Sequence, residues 1–145
     1  MFYDGILGVI YFIEGGDPTY NSIIMVSYVD HLMKKLGIEC IPDVEVNINI
    51  TNEALDSTTD MGHTWGDSDE MNITITTKNC SIVDRMLTLA HEMVHVKQYL
   101  LGELSTDNGY LEWHGEPAKK YKKESRPPWE VEAYALESEL LNTWQ

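Results

Sequence analysis

A chain of 145 residues has room for one domain with a modest core, and its 43% hydrophobic content is that of a globular protein rather than a disordered or fibrous one. A formal net charge of −14 argues against general nucleic-acid binding. Two cysteines, Cys40 and Cys80, stand far apart in no C-x-x-C pattern and read first as free thiols in a reducing cytoplasm, with a single disulfide as the alternative.

The chain opens on an apolar stretch, MFYDGILGVIYFI. It has no basic leader, it carries Asp4, and Glu14, Gly15, Gly16 and Asp17 make a poor cleavage context, so a secretory signal is not expected. It is too short to span a bilayer, and no other stretch of the sequence is a membrane candidate. Residues 1–20 are therefore expected to form an apolar arm or a buried strand. Ile23, Ile24, Val26, Val29, Leu32, Met33 and Leu36 fall at helical spacing and predict a helix over residues 21–36, ended by Gly37. Val44, Val46, Ile48 and Ile50 alternate with Glu45, Asn47 and Asn49, the pattern of a half-buried strand. Residues 51–60 are polar and loop-like, residues 61–65 a short strand or turn, and Asp67, Ser68 and Asp69 a turn. Alternation returns through Ile73 and Ile75, predicting a strand over residues 72–76.

A long helix then begins at Ser81, a natural N-cap, and continues through Val96, Tyr99, Leu100 and Leu101 to a stop at Gly102. A polar connection follows. It holds Lys119, Lys120, Lys122, Lys123 and Arg126, five of the ten basic residues of the chain, which read first as a solvated loop offsetting the acidic body and otherwise as a contact for an acidic partner or a nucleic-acid backbone. Pro127 and Pro128 fit the first turn of a last helix, whose Ala133, Leu136, Leu140, Leu141 and Trp144 mark its buried face. The whole predicts a single α+β domain over residues 1–145: an N-terminal helix, a short three- to four-stranded sheet, a central helix and a C-terminal helix.

The central helix carries His91-Glu92-Met93-Val94-His95, an H-E-x-x-H pattern. Positions i and i+4 share a helical face, so both imidazoles can point at one ion, and neutral imidazole is a good zinc ligand. Glu92, beside the first histidine, is placed to take a proton from an attacking water. The plain alternative is a pair of buried core histidines with Glu92 in solvent; two histidines one turn apart on a largely apolar helix argue against it. A third ligand is needed, and Glu130 and Glu132 at the start of the last helix both qualify. Glu132 is favoured because small Ala133 beside it lets two helices approach. Glu137, Glu139 and Asp60 are candidates to orient the imidazoles. His114, Tyr121 and Tyr110, in the connection between the two ligand helices, are candidate donors for a developing oxyanion, with His114 preferred. His63 and His31 read as structural or exposed.

HEMVH followed by a helix with E-x-E-A resembles the gluzincin group of zinc metallopeptidases. More narrowly, Trp113-His114-Gly115, Tyr121 and PWEVEA at residues 128–133 resemble the smallest SprT-like or minimal gluzincin proteins, many of them phage-encoded. The chain has no histidine in the position of the SprT third ligand, and Leu101 stands where a metzincin would have its third histidine. The resemblance implies a zincin-like fold, one zinc ion held by His91, His95 and Glu132, and Glu92 as general base and acid. It also implies that the strand over residues 72–76 edges the cleft, where an extended peptide adds as a further strand. The expected function is hydrolysis of a peptide or protein substrate; the alternative is a zinc-binding interaction module without catalysis, such as a phage accessory or structural protein.

Overall fold

Alternation along the strands decides which face of the sheet meets the helices. In β2 (Val44–Thr51), Val44, Val46 and Ile48 are buried while the polar residues between them are not, and in β4 (Glu70–Thr76), Met71, Ile73 and Ile75 repeat the period. The computed structural model describes residues 8–15, 22–55 and 61–144. Within these, β1 (Val9–Gly15), β2, β4 and β3 (Gly62–Gly66) form a sheet in the order β1-β2-β4-β3. The first three strands are parallel and in register, Ile13 beside Ile48 and Ile48 beside Ile73; β3 runs antiparallel to β4. Helix α1 (Ser22–Lys35) lies between β1 and β2 in the chain, as a parallel pair requires.

The N-terminal expectation is met in part: Val9–Gly15 is a strand at one sheet edge, with Val9, Tyr11 and Ile13 on the core and Phe12 half-exposed, while residues 1–7 and 16–20 lie outside the described residues. One expectation is overturned. The strand over residues 72–76 is not an edge, because β3, read from the sequence only as a strand or turn, pairs along its outer side. A five-residue element has too few alternations to announce its place in a sheet.

Helix α2 (Ile82–Leu100) crosses the sheet and holds much of the core. Met86, Leu89, Ala90, Met93, Val94 and Val96 are buried against the sheet, α1 and α3 (Pro128–Asn142). Its ends are chemically defined. The Ser81 hydroxyl accepts from the Asp84 N–H and the Asp84 carboxylate accepts from the Ser81 N–H, a reciprocal capping box. At the other end Gly102 takes φ +75°, which lets its N–H reach the Tyr99 carbonyl and the Glu103 N–H the Gln98 carbonyl. Tyr28, fully buried on α1, donates to the Met86 carbonyl at 2.7 Å and packs on Trp144. His31 is structural: its Nε2 meets the Leu140 carbonyl at 2.8 Å and ties α1 to α3.

Between α2 and α3 the chain forms a second small sheet of two-residue strands, β5 (Leu104–Ser105), β6 (Glu112–Trp113) and β7 (Glu116–Pro117), and a 3₁₀ turn (Ala118–Tyr121). Elements this short carry no periodicity, and the sequence offered only a loop. Trp113 and Tyr121 both pack near Trp129, folding the connection back onto the start of α3. Cys40 and Cys80 are free thiols, and among the described residues no helix is long and apolar enough to cross a membrane. The mixed α+β layout, with three helices and a four-stranded sheet among the described residues, is the one expected.

Candidate metal centre

Residues 91 and 95 sit one turn apart on α2, and both side chains are buried with ring centroids 5.0 Å apart. Both Nε2 atoms converge on one carboxylate: His91 on Glu130 Oε1 at 2.9 Å and His95 on Glu130 Oε2 at 3.0 Å. Glu130 lies in the first turn of α3, two residues after Pro128 sets the helix direction.

Glu132, favoured from the sequence as third ligand, is elsewhere. Its carboxylate accepts two bonds from Lys97 Nζ at 2.9 and 3.0 Å and one from the Gln98 amide at 2.9 Å. The cause is helical geometry. Residues two apart point about 200° away from each other, so only one of the two glutamates can face the histidines. The face that meets α2 runs through Glu130, Ala133, Tyr134 and Glu137, at i, i+3, i+4 and i+7, with Ala133 fully buried at its centre. Small Ala133 does admit close helix packing, and the carboxylate it serves is three residues before it rather than adjacent.

The other ring nitrogens are held as well. His91 Nδ1 meets Glu137 Oε2 at 2.8 Å, so Glu137 is the orienting carboxylate among the three candidates; Glu139 is exposed, and Asp60 lies outside the described residues. His95 Nδ1 meets Gln98 Oε1 at 2.8 Å. Gln98 is fully buried, and its amide nitrogen donates to the Trp129 carbonyl and to Glu132, so the amide cannot turn round without losing both bonds. Lys97, bonded to Glu103 and Glu132, keeps Glu132 an acceptor. With each Nδ1 bonded, each Nε2 is the nitrogen left to face Glu130.

Glu92 is buried on the cleft side of α2. Thr64 on β3 donates its hydroxyl to Glu92 Oε1 at 2.6 Å. The edge strand lies so close that a Cβ on Gly62 would stand 2.8 Å from Glu92 Cγ and from Thr88 Cγ2. Neither Gly62 nor Thr64 was singled out from the sequence, because both act on residues far along the chain, Thr64 across 28 positions. His91, Glu92 and His95 each offer a ligand atom, all within 4.8 Å of one another, a group that can hold a metal ion. Glu130 also reaches both imidazoles, whereas Glu92 is engaged by Thr64. Donor atoms around a small tetrahedral ion with bonds near 2.0–2.1 Å stand about 3.3 Å apart, and each imidazole stands within a few tenths of an ångström of that separation from its own Glu130 oxygen.

The cluster's electrostatics are those of a buried ion pair. Burial opposes the charge on Glu130, but the two imidazoles bonded to it outweigh that and hold its carboxyl down at about 2. Burial likewise works against protonated His91 and His95, and their bonds to Glu130, with Glu137 and Gln98, raise them above the ordinary histidine value. Glu92 shifts the other way: burial raises it, with Thr64 and the histidines pulling back only in part.

A cleft of about 650 Å³ opens over these groups, within the range of small-molecule and peptide sites. Met61, Leu87, Tyr99, Leu111 and Trp129 give it apolar walls, and Arg126 and Tyr134 add donors. Tyr134 stands 4.5 Å from His91, ring to ring, and the Arg126 guanidinium lies 3.9 Å over the Tyr134 ring. His114 is not among the lining residues. It is exposed against Trp113, and His114 and Gly115, with φ of +49° and +81°, form the two-residue turn of the β6–β7 hairpin, which carries the imidazole out on its tip. Tyr110 and Tyr121 are also outside the lining; His63 is exposed at the rim, stacked on Trp65. Tyr134 was legible in principle, since it lies one turn from Glu130. Comparison with protein-family models, curated proteins and solved structures finds no match to this chain.

Proposed function

We propose that the protein is a zinc-dependent peptidase with His91, His95 and Glu130 as ligands and Glu92 as general base and acid. The observation that carries this reading is the convergence of both Nε2 atoms on Glu130, with each Nδ1 bonded by a separate partner, directly beside a buried carboxylate that faces the cleft. Two imidazoles and a carboxylate suit zinc among the biological divalent ions. Bound there, zinc supplies Lewis acidity, polarising a carbonyl and lowering the pKa of water.

Glu92 takes the proton of the attacking water and returns it to the leaving amine. Its burial suits the task, because a carboxyl raised toward neutrality both accepts and releases a proton. The Thr64 hydroxyl fixes which oxygen is free to act, since Oε1 already accepts a bond. Strand β3 replaces the strand over residues 72–76 as the place where an extended substrate adds, its outer edge bordering the cleft through Met61, Gly62, His63 and Thr64. In place of His114, the hydroxyl of Tyr134, which lines the cleft beside His91, is the donor for the developing oxyanion. The antiparallel edge strand beside the motif helix, together with Glu130 on the closing helix, supports a zincin-like fold of the gluzincin kind.

The test is metal content by plasma mass spectrometry together with cleavage of a fluorogenic protein substrate. The parent is expected to hold about one zinc per chain and to cleave. Glu92→Gln should keep the metal and lose cleavage, and His91→Ala should lose both. Absence of bound zinc overturns the reading, and cleavage undiminished by Glu92→Gln overturns the role of Glu92. Retained zinc with no cleavage by the parent would leave a metal-binding interaction module.

A further inference from the structure

The acidic balance of this chain makes its one concentration of positive charge informative. Lys119, Lys120, Lys122, Lys123 and Arg126 fall within eight consecutive positions, against a net charge of −14 overall. The fold places this run beside the cleft, with Arg126 among the residues that line it. The Ala118 N–H bonds to the carbonyl of Leu111, a lining residue, and Tyr121 packs edge-on against Trp129, another lining residue, at 5.9 Å. The four lysines are exposed, and the run ends at Arg126 inside the cleft.

These cations are little used by the fold. Among the described residues the run holds one ion pair, Lys120 with Glu116 at 3.7 Å, both more than half exposed. The carboxylates that line the cleft are already engaged: Glu130 and Glu137 by the imidazoles, Glu92 by Thr64 and Asp84 by the helix cap. Arg126 has no carboxylate partner among the described residues. Its guanidinium carbon lies 3.9 Å over the Tyr134 ring, a contact that uses none of the N–H groups with which arginine matches a carboxylate.

We infer that the cleft takes an acidic peptide segment, with Arg126 receiving a substrate carboxylate beside the metal centre and Lys119, Lys122 and Lys123 drawing the acidic chain along the rim. The inference rests on the peptidase reading for what is cut and on this charge layout for what is bound. An acidic peptide is favoured over a nucleic acid because the cations form a single short patch on a strongly acidic surface, and a polyphosphate backbone extending beyond it would meet like charge.

The experiment is fluorescence anisotropy of dye-labelled probes on full-length Glu92→Gln protein: a glutamate-rich peptide, its glutamine counterpart, a lysine-rich peptide and a single-stranded oligonucleotide. The glutamate peptide is expected to bind about tenfold or more tighter than the glutamine one at low salt, with the advantage shrinking as salt is added. Arg126→Gln should remove most of that preference, and the combined K119Q, K122Q and K123Q should flatten its salt dependence. Equal binding of the glutamate and glutamine peptides, tighter binding of the oligonucleotide, or a preference untouched by Arg126→Gln would each overturn the inference. Its fate separates from that of the peptidase reading when the parent protein is assayed for cleavage. Selective binding of the acidic peptide without cleavage keeps the inference and removes the peptidase, and equal cleavage of acidic and neutral peptides does the reverse.

Discussion

At the scale of single residues, the two glutamates of E-x-E divide the work that one was expected to do. Glu130 faces both imidazoles; Glu132 reaches His95 only through the Gln98 amide. Removing them should therefore differ in kind. Glu130→Ala is expected to lower zinc affinity by about 100-fold or more, and Glu132→Ala by about tenfold, the usual cost of losing a partner that orients a ligand rather than the ligand itself. Competition with a chromophoric chelator measures both, and a larger loss for Glu132→Ala would return the ligand role to it. The same residues set a pH dependence in metal-free protein. His91 and His95 are raised, so the stability they bring is complete below their ordinary 6.5 and is lost as pH climbs through the raised values. Glu130 is lowered, so its share is complete above its ordinary 4.5 and is lost as pH falls toward 2. Glu92 is raised and therefore adds to the loss at higher pH. With chelator present, thermal unfolding at about pH 5.5 is expected to come at a higher temperature than at about pH 8.5. The opposite order would mean that the cluster is not a charged pair in the absence of metal.

At the scale of elements, the contact between β3 and α2 positions Glu92, the proposed base. Gly62 is a point of close approach: a methyl there meets Glu92 Cγ and Thr88 Cγ2 at 2.8 Å, with Glu92 Oε2 at 3.0 Å. Something must shift, and two of the three atoms met belong to the Glu92 side chain. Gly62→Ala is expected to keep zinc while lowering kcat about 10- to 100-fold, since a displaced base is out of reach of its proton. Steady-state kinetics beside metal analysis checks this; unchanged kcat would show that β3 does not position Glu92. The element that carries the ligands is stable for ordinary reasons. The Ser81–Asp84 box and the Gly102 turn close both ends of α2, and its core face packs on the sheet, α1 and α3, so the histidines are held by a rigid support.

At the scale of the whole molecule, the centre joins α2 to α3, and the ion would cross-link the two. A ligand that binds only the folded state stabilises by about 2.7 kcal/mol at 100 times its dissociation constant, which for a chain of this size corresponds to roughly 5–10 °C. Zinc is accordingly expected to raise the melting temperature of the parent by that order, to be reversed by chelator, and to leave His91→Ala unmoved. An equal rise in His91→Ala would place the metal elsewhere. The charge layout belongs to this scale too, because the basic run and Arg126 gain meaning only from the cleft they border.

Sequence periodicity determined most of the layers. The helices at residues 22–35, 82–100 and 128–142, the strands through Val46 and Ile73, the Ser81 cap and the Gly102 stop were all legible, because each depends on neighbours within a few positions. The spacing of His91, Glu92 and His95 was legible for the same reason. The tertiary structure alone decided what depends on the rotation of one element against another. It turned Glu130 rather than Glu132 to the histidines, chose Glu137 and Gln98 to hold the rings, put β3 at the cleft edge against Glu92, and sent His114 out on a hairpin tip. Local sequence fixes a side chain's angle about its own helix or strand; the partner it meets is set by how that element packs on others far along the chain, through contacts no local pattern records.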